Sequence, residues 1–116
     1  MTAFIYHITR RDSWEAAKKD GLYRADSLES QGFIHCSKAD QLMRVANTFY
    51  AKENDLVILA IDQAGLTSEV RWEPGTDKAD EMFPHIYGAI EMNAVEKVFD
   101  LKHGADGSYL LPPGVA

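Results

Sequence analysis

The sequence predicts an α+β domain, and three observations predict it. Short segments alternate apolar and polar residues as strands do. Two stretches with helical spacing stand between them in the first half. The second half then carries strand after strand with no further helical period. With 116 residues the chain is read as a single domain over 1–116, long enough to bury a core without cross-links.

Residues 4–9 alternate cleanly, with Phe4, Tyr6 and Ile8 on one face and Ile5, His7 and Thr9 on the other, so a strand is expected. Asp12-Ser13-Trp14-Glu15 has the spacing of a capping box and predicts a helix that buries Trp14 and Ala17. Gly21 suits a left-handed cap at its end. Residues 22–25 predict a short strand, and 27–30 a single helical turn closed before Gly32. In 33–36 a second strand is expected, Phe33 and His35 on one face, Ile34 and Cys36 on the other. Ser37-Lys38-Ala39-Asp40 reads as another helix start, and Leu42, Val45, Ala46 and Phe49 mark one face of the helix that follows.

Residues 55–62 enclose Leu-Val-Ile-Leu-Ala-Ile, the continuous run expected of a strand buried on both faces. Residues 68–73 alternate again, Val70 and Trp72 against Glu69, Arg71 and Glu73, until Pro74-Gly75 ends the strand. An acidic loop over 76–82 comes next, then a strand-like histidine segment over 83–88. Residues 89–92 and 95–101 predict strands at a sheet edge or in a hairpin. A turn at 103–107 precedes a last short strand at 109–111.

Composition narrows the function classes. No apolar run approaches the length of a membrane span, the longest being Leu56 to Ile61, and no secretory signal is visible, so no membrane and a cytoplasmic address are expected. Cys36 is the single cysteine, which excludes an internal disulfide and a multi-cysteine metal site. The net charge of −6 argues against non-specific nucleic-acid binding, which needs a basic surface. That charge is uneven: residues 1–52 sum to +2 and residues 53–116 to −8. A phosphate-bearing ligand would find its cations among Arg10, Arg11, Arg24 and Arg44.

Three of the four histidines sit in strand-like segments: Phe4-Ile5-Tyr6-His7-Ile8-Thr9, Gly32-Phe33-Ile34-His35-Cys36-Ser37 and Phe83-Pro84-His85-Ile86-Tyr87-Gly88. A buried imidazole needs hydrogen-bond partners, so three such placements suggest one shared pocket. Thr9 and Ser37 follow His7 and His35 on the same strand faces. Ser37 also sits at the expected helix start, where free N–H groups favour an anion. Gly88 lets the backbone approach something closely. The histidines lie far apart in the chain with no ligand spacing, so no metal is expected. Cys36 and His35 point to opposite faces, which leaves the thiol as a small core residue. Trp72, Tyr87 and Tyr6 could stack a flat ring, although Trp72 is expected to be packed. Glu73 and Glu91 are the carboxylates nearest these segments; a solvated strand-end acid is the plainer role for each. His103 falls in an exposed turn.

With Tyr6-His7-Ile8-Thr9, Gly32-Phe33-Ile34-His35-Cys36-Ser37, Arg71-Trp72-Glu73-Pro74 and Phe83-Pro84-His85-Ile86-Tyr87-Gly88 in order, the chain resembles a small bacterial family, the domain-of-unknown-function family nine-five-two. That family is in turn similar to the ADP-ribosyltransferase superfamily. The resemblance implies an ADP-ribosyltransferase-like split β-sheet with two helices in the N-terminal half, around a cleft for NAD as substrate. It implies a ribose contact for His7 and the second catalytic position for His35, with Ser37 nearby. Joined to the strand and charge readings above, it leads to the expectation that His7, His35 and His85 are catalytic and that Thr9, Arg10, Arg24, Ser37 and Tyr87 contact the ligand. The glutamate common at the superfamily's third position has no counterpart in the Phe83 segment. A nucleotide-like small molecule is thus the expected partner, in an ADP-ribosyl or ribose-phosphate transferase. The rival expectation is a binding module of the same fold without chemistry, and a metal-dependent hydrolase is a third.

Overall fold

Strand periodicity at the start of the chain becomes β1 (Phe4–Arg10), and the computed structural model describes residues 4–75 and 80–115. The chain continues through α1 (Arg11–Asp20), β2 (Leu22–Tyr23), α2 (Asp26–Gln31), β3 (Ile34–His35), α3 (Leu42–Phe49) and β4 (Leu56–Asp62). It then runs through β5 (Glu69–Pro74), β6 (Met82–Tyr87), β7 (Ile90–Glu91), β8 (Val95–His103) and β9 (Tyr109–Leu110). Among the described residues this is an α+β architecture of antiparallel sheets. One sheet has the order β1-β4-β8-β9, a second β3-β6-β5, and β2 pairs with β7. A bridge between Tyr6 and Ser37 links the first strand to the end of β3: each backbone N–H donates to the other's carbonyl, at 2.9 and 2.8 Å.

The run in β4 is apolar throughout because both of its faces are covered. Val57, Leu59 and Ile61 join Ile5, Trp14, Ala17, Ile34 and Ile86 in one core. Leu56, Ile58 and Ala60 join Tyr6, Ile8, Leu42, Ala46 and Tyr109 in the other. Strand alternation in β1 divides its side chains the same way. His7 and Thr9 therefore continue the Ile5 face, and both are buried.

Several expectations are corrected. Asp12 does not cap α1: its carboxylate accepts from Arg10, and the helix already begins at Arg11. The turn at 27–30 is a six-residue helix, so the first half carries three helices rather than two. Gly21 and Gly32 both adopt positive φ (91° and 90°) and close α1 and α2 as C-terminal caps. Ser37 does not start a helix. Its backbone is taken by Tyr6, and the next turn, Ala39–Gln41, is held by Gln41, whose side-chain oxygen accepts from the Lys38 N–H at 2.9 Å.

In α3 only Leu42 and Ala46 of the expected stripe are buried, and Phe49 is exposed. Trp72 is not packed. Val70 reaches the core, but Trp72 lies further along β5, an edge strand, and is 43% exposed. The strand expected at 95–101, at an edge or in a hairpin, is β8: it stands between β4 and β9 and forms an antiparallel hairpin with β9. Of the acidic loop, residues 76–79 lie outside the described residues.

Candidate functional site

A cleft of about 470 Å³ opens where β1 meets the β3–β6 pair, a size suited to a small-molecule ligand. Its lining includes His7, His35 and His85 together with Thr9, Ser37, Arg10 and Arg24. Residues 28 and 50 positions apart in the chain thus meet, for two reasons of register. The bridge at Ser37 brings the end of β3 to β1, and β3 pairs with β6 so that His35 stands directly opposite His85. The two rings lie edge to face with centroids 5.3 Å apart. Of the four candidate cations, Arg10 and Arg24 line the cleft; Arg11 is bound by Asp55 and Asp100, and Arg44 by Glu81.

Buried in the site, His7 is held at both nitrogens. Nδ1 donates to the His35 carbonyl at 2.6 Å, since a carbonyl only accepts. Nε2 lies 2.8 Å from the Tyr23 hydroxyl, which is 2.9 Å from Thr9 Oγ1. Burial lowers the pKa of His7 to about 4, so near neutral pH the ring is uncharged and Nε2 accepts the tyrosine proton. The Tyr23 oxygen is then left to receive the proton of Thr9. Burial also pushes Tyr23 up to about 12, which keeps it a phenol. Tyr23 is a member of this site that sequence reasoning missed, because nothing local marks a residue in a two-residue strand.

The second cluster lies on the neighbouring sheet. His85 Nδ1 meets Glu73 Oε1 at 2.9 Å, and the Tyr87 hydroxyl donates to the same oxygen at 2.5 Å. Those hydrogen bonds, Tyr87's foremost, hold the Glu73 carboxyl below its ordinary range. Phe33 stacks on His85 with centroids 4.2 Å apart, and His35 Nε2 lies 3.0 Å from Gln31 Oε1. Tyr87 itself is not part of the cleft lining; its ring lies under the Arg71 guanidinium at 4.5 Å. Glu73, expected as a solvated strand-end acid, is instead the partner of two site residues. Glu91 accepts from the Thr67 N–H and hydroxyl, away from the cleft.

Tyr6 packs in the second core and Cys36 is buried in the first, where burial pushes its thiol up and leaves it protonated. His103 stacks on Tyr109 outside the cleft. Among the described residues no three His, Cys, Asp or Glu side chains are grouped to hold a metal ion. No helix among them is long and apolar enough to cross a membrane.

Fold and site together define a small α+β protein with a histidine-lined cleft between two antiparallel sheets. The chain belongs to the family described as "Protein of unknown function (DUF952)", whose model matches residues 8–98. It is similar to the crystal structure of protein CC0527 from Caulobacter crescentus, a structural-genomics target. Identity there is 32% over 94% of this chain and 95% of that one, with a TM-score of 0.82. The solution NMR structure of CC0527 gives 32% identity, 90% coverage of both chains and a TM-score of 0.77. Among curated proteins nothing matches.

Proposed function

We propose that the cleft binds NAD or a related nucleotide, and that the protein transfers its ADP-ribosyl group or acts on a ribose phosphate. The observation that carries this reading is the meeting of three imidazoles, the hydroxyls of Thr9, Tyr23 and Ser37 and two guanidinium groups on one cavity. Arg10 and Arg24 are the groups for the phosphates. Each is paired with an exposed acid, Asp12 and Asp20, and such solvent-screened pairs hold their partners only weakly. A phosphate contact at roughly 1.5–3 kcal/mol outcompetes them. His7 contributes through the hydroxyls it orders: Tyr23 and Thr9 meet a ribose, while the imidazole holds their direction. Ser37 offers a further hydroxyl, Tyr87 acts behind the cleft through Glu73, and His35 and His85 are the candidate proton carriers.

A second reading is favoured by one feature. The carboxylates among the described lining residues are Asp26 and Glu53, and neither belongs to the third histidine segment. Without a carboxylate there, a binding module that leaves its ligand intact is the alternative. A metal-dependent hydrolase is less well served, because both nitrogens of His7 already have protein partners.

Titration calorimetry with NAD and with ADP-ribose tests the reading. Binding should be measurable with one or both, and Arg10→Gln with Arg24→Gln should weaken it about tenfold or more, the equivalent of ~1.4 kcal/mol. Release of nicotinamide from NAD marks the enzyme; binding without release marks the module. Silence with both ligands in the unaltered protein removes the nucleotide reading.

A further inference from the structure

The cluster that the cleft alone does not account for is Glu73, His85 and Tyr87. Glu73 stands on β5 and His85 on β6, in neighbouring strands of the three-stranded sheet, where Glu73 pairs with Phe83 and Arg71 with His85. Alternation puts Glu73, Phe83 and His85 on one face, and Glu73 reaches diagonally to Nδ1 of the histidine. A carboxylate only accepts, so Nδ1 carries the proton and the neutral ring must present Nε2 as a bare acceptor. Among the described residues no hydrogen-bond partner meets that Nε2, and it is not a sealed, unsatisfied atom either. His85 lines the cleft whereas Glu73 lies outside the lining. The edge turned away from Glu73 therefore faces the cavity. Phe33, stacked on the ring, keeps it from rotating.

We propose that Glu73 is a positioning residue: it fixes His85 with an unprotonated Nε2 toward the cleft, which makes His85 the base for a hydroxyl-bearing acceptor. Tyr87 donates to the same carboxylate oxygen and keeps it in place. In the reaction, the acceptor O–H bond breaks and its proton passes to Nε2 as the oxygen bonds to the ribosyl carbon. The glycosidic C–N bond breaks at the same time, and nicotinamide leaves with that electron pair as a neutral molecule. The imidazolium so formed is balanced by the Glu73 carboxylate. The choice of a hydroxyl acceptor rests on the ribosyl-transfer reading above, whereas the positioning of His85 does not.

Nitrogen-15 NMR of the imidazoles separates the two claims, with His85 assigned by its loss in His85→Gln. In the unaltered protein the neutral His85 ring should be the Nδ1–H form. Glu73→Ala should turn most of it to the Nε2–H form that free imidazole side chains prefer, and Glu73→Gln, which keeps an acceptor in place, should retain more of the native form. Far-ultraviolet circular dichroism confirms that each variant folds. An Nε2–H ring in the unaltered protein, or no change in Glu73→Ala, overturns the positioning claim. With NAD as donor and a free ribonucleoside as acceptor, kcat should fall about 10²- to 10⁴-fold in Glu73→Ala with KM for NAD changed less than threefold. A retained kcat overturns the proposal. Expected tautomers in a protein that neither binds nor consumes NAD leave the positioning intact and refute only the nucleotide reading.

Discussion

His7 ties the fold to the site at the level of one residue. Its ring accepts from one hydroxyl and donates to one carbonyl, and acceptance at Nε2 requires the neutral form. Because burial lowers the folded pKa to about 4, from an ordinary 6.5, the unfolded chain binds the extra proton first as pH falls. Stability from this group is therefore complete above about pH 6.5 and lost on acidification toward pH 4. Between pH 7 and pH 5 the loss amounts to about 2 kcal/mol at ~1.4 kcal/mol per unit. Urea unfolding at the two pH values should show that much more acid destabilisation in the unaltered protein than in His7→Gln. Equal slopes would mean that the ring charges without penalty. Glu73 and Glu91, whose carboxyls are also held low, titrate below this window and are common to both proteins.

Elements meet the site through a few close approaches. The end of β6 passes Ser68, ahead of β5, at Gly88, where an added Cβ would come within 2.3 Å of Ser68 Oγ and 2.9 Å of its Cβ. That hydroxyl also donates to the Ala89 carbonyl at 2.8 Å, so it is not free to yield. Gly88→Ala should cost about 1–3 kcal/mol, with partial recovery when Ser68→Gly is added; thermal unfolding of the two variants checks both. At the other end of β6, Gln41 is fully buried and its amide donates to Glu81 and to the Met82 carbonyl. One side chain thus fastens the start of α3 to the start of β6, and it holds the wall of the cleft that Phe83 and His85 supply.

For the molecule as a whole, β4 is decisive. It divides its residues between the two cores, so neither core persists if the strand leaves. Unfolding should be a single cooperative step. In Trp72→Phe, which leaves Trp14 as the one indole, fluorescence from the first core and circular dichroism from both sheets should share one midpoint. Ile58→Ala, truncating a side chain with no exposed surface in the second core, should lower stability by about 2–5 kcal/mol and move both signals together. Separate midpoints would show that the sheets fold independently.

Much of this architecture was legible in the chain because it is local. Alternation in 4–9, the unbroken run in 55–62 and the glycines at 21 and 32 each report on neighbouring backbone, and the elements formed where they stand. The coming together of His7, His35 and His85 was legible only as a suspicion, drawn from imidazoles in apolar strands. Other features were decided by tertiary structure alone. Ser37 pairs with Tyr6 instead of starting a helix, because its backbone N–H and carbonyl are both taken by β1. Trp72 stays exposed because its strand is an edge, and strand order is not written in periodicity. Tyr23 and Glu73 enter the site through hydrogen bonds spanning 16 and 12 residues. A side chain's local pattern fixes which face it takes; which distant group waits on that face depends on sheet register, and register is set by packing of the whole chain.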